Sequence, residues 1–376
     1  MPQVKPTPRK TSTFHDFPYA SPQRKCLHCW IINVTPPGPN QCIHNCIYCY
    51  AREAVYASNA VDTMVYNNLP ELVEKDLKRM TLCPPVSISN ISDPCQDIPV
   101  LKDGVKRLVR LLMAYGVSFV VTTKGDPSFL LDLPDFARYE PKIVAVTIEG
   151  TEDVLKLLSP QAPDYAKRLA AVRRLSDVGV KTVIRLDPLF IHLFRALYGE
   201  DWFSYVENII GDFAGAGAGH IVAGTGRLSK QRGTIGPFAG TSSWQRMRDL
   251  ILKLSPDAGL AFEREYLYEN GGTGWGYLLS RDMRIELHRK LKTCVEGNGM
   301  TYAVCQELPA VTADSESIPN CEGYPLPFAR KGIDGRFHAI AGCTANCHVS
   351  CTGRAETLCG RSELVTAKPL RLSALR

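Results

Sequence analysis

Nowhere in its 376 residues does the chain hold a run of eighteen or more apolar residues, so no membrane-spanning helix is expected. Its N-terminus, MPQVKPTPRKTSTFHDFPYASPQRK, lacks the apolar centre of a secretory signal and is basic and Pro-rich instead. Cytoplasm is the compartment this implies, with no membrane partner. Charge of one sign is also in short supply: 44 Lys and Arg stand against 38 Asp and Glu, a net charge of +6. Such an excess suits a nucleic-acid partner and equally an ordinary enzyme, so charge alone excludes neither. Phosphate-binding fingerprints are missing too. The stretch GAGAGHIVAGTGRLSKQRGTIG (214–236) is glycine-rich but matches neither a P-loop nor a dinucleotide motif opening the first βαβ unit.

Cysteine, by contrast, is plentiful. In a reducing compartment fourteen cysteines signal metal binding or catalysis more than disulfides. Three of them, Cys42, Cys46 and Cys49, crowd the stretch NQCIHNCIYCYARE (40–53). Three thiols are one too few for a closed metal site.

Strand-like and helix-like segments alternate around them. WIINVTP (30–36), VSISN (86–90), VSFVVTT (117–123), KIVAVTI (142–148), VKTVIRL (180–186), HIVAG (220–224) and MTYAVCQE (300–307) read as strands. ELVEKDLKRM (71–80), LKDGVKRLVRLLMAYG (101–116), DYAKRLAAVRRLSDVG (164–179) and RDMRIELHRKLKTCVEGNG (281–299) carry helical spacing. This rhythm predicts an α/β fold with a parallel sheet, a barrel or partial barrel, whose working residues sit at the C-terminal ends of strands. The cysteine triplet follows the first strand and so takes an active-site position. Residues 1–25 read as a basic, Pro-rich, mobile arm and 26–307 as the barrel. Residues 308–376 read as a small Cys-rich segment held by something other than an apolar core.

Three thiolates can be part of a zinc knuckle completed by Cys26-x2-Cys29. They can also hold three irons of a [4Fe-4S] cluster, leaving the fourth iron open to a ligand. CxxxCxxC after the first strand, with the aromatic Tyr48 before the last cysteine, resembles the radical S-adenosylmethionine (SAM) superfamily. SISNISDPCQD (87–97), VTTKGD (121–126) and VTIEGTEDVLKLLSPQAPDYAKRLAAVRRLSDVGVKTVIRLDP (146–188) follow in order. Together, over roughly residues 30–230, they resemble its spore photoproduct lyase-like branch.

That resemblance implies a partial (β/α)6-type barrel with a [4Fe-4S] cluster on Cys42, Cys46 and Cys49, whose open iron chelates SAM. It implies reductive cleavage of SAM to a 5′-deoxyadenosyl radical, fed by a reductant such as flavodoxin or ferredoxin, and lyase-like action on a nucleic acid or nucleotide. Two other classes stay open: a radical SAM enzyme acting on a peptide or small molecule with an auxiliary cluster, and a non-enzymatic metal-binding module. Residue by residue, the resemblance turns the backbone of Tyr48 to the adenine and Ser92 and Asp93 to the SAM amino group. Lys124 takes the carboxylate, and Thr147 the ribose or methionine. Arg185, buried on the fifth strand, needs an anion: SAM, substrate or Glu149.

Two departures follow. Where spore photoproduct lyase has a cysteine hydrogen-atom donor, this chain has Asn90, whose amide N–H is too strong a bond to serve; Cys95 is the nearby thiol. The tail adds Cys294, Cys305, Cys321, Cys343, Cys347, Cys351 and Cys359. The spacing of CTANCHVSC predicts an auxiliary iron–sulfur or zinc site on Cys343, Cys347, Cys351 and one of Cys305, Cys321 or Cys359. Cys26, Cys29, His28 and His348 are further candidates. Arg227, Lys230 and Arg232 form either a phosphate-holding rim or a solvated loop, and the glycines before them are expected to approach the adenosyl group.

Overall fold

Eight strands stand side by side in one sheet, in the order in which the chain makes them. They are β1 (Phe14–Asp16), β2 (Trp30–Ile32), β3 (Val86–Ile88) and β4 (Phe119–Thr123). β5 (Lys142–Thr147), β6 (Thr182–Leu186), β7 (His220–Ala223) and β8 (Thr301–Val304) complete it. β1 is antiparallel to β2; every other neighbouring pair is parallel. The sheet is open, a partial barrel in the sense the alternation predicts. The computed structural model describes residues 3–16, 23–54, 57–234, 236, 238–270, 274–365 and 375–376.

Parallel strands need long crossovers, and helices supply them. These are α1 (Leu69–Arg79), α2 (Pro99–Tyr115), α3 (Glu152–Leu158), α4 (Tyr165–Ser176) and α5 (Ile191–Tyr198). α6 (Trp202–Gly215), α7 (Ser243–Leu254), α8 (Pro256–Glu265) and α9 (Arg281–Gly297) follow. α2 shows how the sequence dictates one. Pro99 opens it, Leu101, Val105, Leu108, Val109 and Leu112 form its buried stripe, and Gly116 ends it in the left-handed conformation at φ 76°. α4 starts where the Asp164 side chain accepts from the Lys167 amide. With helices on its faces, β5 is buried at every position, which explains its unbroken Ile-Val-Ala-Val run. Among the described residues no helix is long and apolar enough to cross a membrane.

Two expectations about the ends of the chain need correction. The N-terminal stretch is not a free arm. Val4–Thr7 pairs in parallel with Thr63–Tyr66, and β1 pairs with β2. After it, residues 23–29 cross toward β8: Arg24 donates to the carbonyls of Val304 and Leu308 and pairs with Asp314 at 3.4 Å. The Ala310 amide donates to the Gln23 carbonyl at 2.8 Å. This segment bridges the two ends of the open sheet. Nor is the segment after Leu308 without apolar packing. Ile318, Leu326, Phe328 and Phe337 are buried, the last three within the main core. Only beyond residue 340 do cysteines take over.

Candidate active site

The cysteine loop leaves β2 at the C-terminal end of the sheet, and its neighbours hold it there. The Ile43 amide donates to Gln96 Oε1 at 2.7 Å, and Gln96 Nε2 donates to the Asp93 carbonyl at 2.8 Å. The Ile47 amide donates to the Leu158 carbonyl at the end of α3. From the other side Arg246 of α7 donates to the Ile47 carbonyl and pairs with Glu53. Cys46 is buried, while Cys42 and Cys49 are half-buried. Burial chiefly, and the Asp93 charge after it, push the Cys42 thiol up to about 12. Burial raises Cys46 further, against the pull of the Lys124 ammonium.

Two buried carboxylates organise the surroundings. Asp93, after β3, accepts from the Cys95 amide at 2.8 Å, from Thr123 Oγ1 at 2.5 Å and from the Lys124 amide at 2.5 Å. His44 Nε2 stands 3.2 Å from its other side. Burial would raise this carboxyl, but the His44 charge and these hydrogen bonds hold it well below the usual carboxylate range. Both oxygens of Asp93 are thus engaged inside the fold, and the residue positions the loops rather than presenting a free carboxylate. Ser92 is likewise turned inward, bonded to Thr35 Oγ1 at 2.7 Å.

Glu149, fully buried after β5, accepts from Tyr48 Oη at 2.7 Å and from Arg168 Nη1 at 2.8 Å. Lys124 Nζ lies 3.8 Å from it and 5.6 Å from the centre of the Tyr48 ring. Arg168 also donates to the carbonyls of Thr147 and Pro163 and to Ser159 Oγ. Here sequence reasoning missed two residues. Glu149 is expected only as one of three possible partners of Arg185, and Arg168 is given no role; the signal available is an arginine in the first turn of a helix beside a Ser-Pro turn. Arg185 instead pairs with Asp187 at 3.1 Å and Glu322 at 3.2 Å, and donates to Cys305 Sγ at 3.2 Å.

Among the described residues no three His, Cys, Asp or Glu side chains stand together as a metal site. The donors nonetheless fit the cluster and ligand that the resemblance implies. Three thiols share one loop, and His44, between two of them in sequence, pairs through Nε2 with Asp93 and leaves its buried Nδ1 without a hydrogen bond. The Lys124 cation reaches the same loop. Residues 37–190, from this loop through β6, match the Radical SAM superfamily. Over that stretch the chain is similar to radical SAM proteins. Its fold is similar to spore photoproduct lyase: a cysteine-to-serine mutant of that enzyme superposes with a TM-score of 0.54 at 18% identity, covering 80% of this chain and 81% of the other. A mutant with bound AdoMet and dinucleoside spore photoproduct gives 0.54 at 17%, covering 81% and 82%. In sequence, the uncharacterized protein ORF301 of Acidianus two-tailed virus is 23% identical over 55% of this chain and 70% of its own length. The uncharacterized protein MJ0683 of Methanocaldococcus jannaschii is 27% identical over 42% of this chain and 60% of its own.

The remaining expectations divide. Thr147 ends β5 and is buried, as is Tyr48's partner Glu149. Cys95 is 2% exposed and pressed on Gly125, where an added Cβ would meet the Cys95 carbonyl oxygen at 2.2 Å; it is a core residue with no open thiol. The amides of Thr225 and Gly226 donate to Glu307 at 2.7 and 3.0 Å, so these two groups of the glycine loop are taken by a carboxylate of the chain. Lys230 lies 4.3 Å over the Tyr268 ring and Arg227 donates to the Trp275 carbonyl. Arg232 lines a cleft of about 410 Å³ with Arg52, Asn59 and Gln231, next to the cysteine loop. The tail cysteines fall into two groups. Cys305 and Cys321 neighbour Cys26 and Arg185, whereas Cys343, Cys347 and Cys351 neighbour Cys359.

Proposed function

We propose that this chain is an enzyme that reductively cleaves SAM at a [4Fe-4S] cluster on Cys42, Cys46 and Cys49, and that the resulting radical acts on a nucleic acid. The observation that carries the first part is the gathering of the cysteine loop, Lys124, Thr147 and the Asp93 and Glu149 hubs at one end of one sheet. When bound, the cluster supplies the electron that splits the sulfonium of SAM into methionine and a 5′-deoxyadenosyl radical, drawn from a flavodoxin- or ferredoxin-type donor. The chain's own residues bind and orient. Lys124, whose charge Glu149 and Cys46 support against the cost of burial, offers an ammonium to the SAM carboxylate. Asp93 holds the Lys124 backbone in register, and Tyr48, pinned through its hydroxyl, fixes the loop segment between Cys46 and Cys49.

The nucleic-acid part rests on the hairpin Tyr266–Asn270/Trp275–Leu279. It exposes Tyr268 and Trp275, stacked at 5.6 Å, with Lys230 against them. Aromatic faces beside cations are how bases and phosphates are held without sequence choice. With Asn90 at the donor position, thymine-dimer repair by the lyase's route is not the reaction proposed.

The test is anaerobic incubation with dithionite and SAM. The wild type should form 5′-deoxyadenosine, and the Cys42→Ala/Cys46→Ala/Cys49→Ala variant should form none. Equal product from both proteins would overturn the reading.

A further inference from the structure

The cysteines beyond residue 340 lie at the other end of the molecule. The Ala345 carbonyl accepts from the His28 amide at 2.8 Å, two residues before β2 begins. Ser118, one residue before β4, donates to the Pro327 carbonyl at 2.8 Å. Ala329–Lys331 pairs with Leu82–Cys83, just ahead of β3. These contacts all mark the N-terminal ends of the strands, whereas the Cys42 loop leaves their C-terminal ends.

Cys343, Cys347, Cys351 and Cys359 are all buried there, at 9, 4, 5 and 8% exposure. Regular structure between residues 341 and 365 is confined to one helical turn, Cys347–Ser350, and a 3-10 turn, Ser362–Val365. Apart from the four cysteines, its buried apolar residues are Ala345 and Leu364. The thiols therefore occupy the place of a core. A free thiol is a small hydrophobe and a poor one to build a segment on; small segments of this kind use a metal instead.

The local backbone is shaped around sulfur. Cys343 Sγ accepts from the amides of Phe328 and Ala345, both at 3.4 Å. Ala345 reaches it from the left-handed conformation at φ 57°, which a non-glycine residue adopts only at a cost. A neutral thiol is a weak acceptor, so two amide donors on one sulfur are better matched to a thiolate. Cys347 and Cys351 are four residues apart, with the Cys351 amide bonded to the Cys347 carbonyl at 3.0 Å, which puts them on one side of the turn. Arg330 anchors the Cys359 carbonyl at 2.7 Å. Phe328, whose amide holds the Cys343 sulfur, stands two residues before Arg330, which holds the Cys359 carbonyl, so one short stretch of chain anchors both cysteines.

We propose that Cys343, Cys347, Cys351 and Cys359 form a closed four-thiolate metal site that fastens residues 341–365 to the N-terminal end of the sheet. A zinc ion and an iron–sulfur cluster share this donor set. Among the described residues no three of these side chains stand at ligand geometry, so uptake has to draw the thiols together. The position makes the site structural, away from the SAM end, and replaces Cys305 and Cys321 by Cys359 as the fourth ligand. The proposal does not depend on the SAM reading.

The test removes the other cluster first. Anaerobically purified, full-length Cys42→Ala/Cys46→Ala/Cys49→Ala protein should retain either about one zinc or about four irons per chain; either supports the site, and their identity names the metal. Adding Cys343→Ala and Cys359→Ala should remove that metal, whereas adding Cys305→Ala and Cys321→Ala should keep it. Cys359→His, which preserves a zinc ligand, serves if the alanine variants fail to fold: a zinc protein should keep its metal and resist cleavage within 341–365. For an iron protein, Cys359→Ser should shift the cluster's absorption while Cys321→Ser leaves it unchanged. Neither metal in the starting variant, or loss with Cys305 and Cys321 instead, overturns the proposal.

Discussion

Arg168 and Glu149 both have fully buried side chains and meet at 2.8 Å. Such a pair does not by itself prove net stabilisation, because desolvating both charges offsets the attraction between them. Breaking it is another matter. Arg168→Leu leaves Glu149 with Tyr48, Ser159 and a Lys124 ammonium 3.8 Å away. We expect that variant to lose about 3–5 kcal/mol, the usual cost of stranding a buried charge. Lys167→Ala, one residue away in an exposed pair with Asp164, should lose under about 1 kcal/mol. Urea denaturation of both proteins decides; equal losses would show that the Glu149 hub is not what holds the loops.

The hairpin is the element on which the substrate class depends. Trp275 is 63% exposed and Tyr268 37%, with Lys230 over the Tyr268 ring. Base stacking contributes about 1–3 kcal/mol per aromatic residue. Trp275→Ala should therefore weaken binding of a single-stranded oligonucleotide by roughly 5- to 150-fold with little change in its salt dependence. Lys230→Ala should instead flatten the salt dependence by about one counterion. Oligonucleotide titrations at several salt concentrations separate the two effects. Wild-type behaviour in both variants would move the substrate away from nucleic acid.

Across the whole molecule, the returning tail is tied to the sheet by a histidine buried without charge. His220 at the start of β7 is fully buried, with Nε2 donating to the Cys321 carbonyl at 3.0 Å and Nδ1 2.8 Å from Thr301 Oγ1. Burial, opposed in part by the hydrogen bond to Cys321, lowers its pKa to about 4. An unfolded chain protonates histidine near 6.5. Between those values the unfolded state binds more protons, so stability is complete above about pH 6.5 and falls as pH drops toward 4. The loss from this one group is on the order of 3 kcal/mol. Denaturation of the wild type and of His220→Gln at pH 7, 5.5 and 4.5 should give a shallower slope for the variant. Parallel slopes would assign the acid sensitivity to other groups.

What the sequence determined by itself was everything carried by local spacing. Buried runs such as Ile143–Val146 marked strands, the stripe from Leu101 to Leu112 marked a helix, and Cys42, Cys46 and Cys49 marked the site. Period and spacing are properties of a few neighbouring residues, so they survive without the fold. Partnership was decided only in three dimensions. Glu149 meets Arg168 and not Arg185, because α4 carries the guanidinium back beneath the end of β5. Arg185 meets Glu322, 137 positions later, because the tail returns across the sheet. Cys321 is held at the Lys25 carbonyl and Cys359 at Arg330, two places that long-range packing alone sets. A buried charge or thiol pairs with whatever long-range packing sets beside it, and no local pattern records that choice.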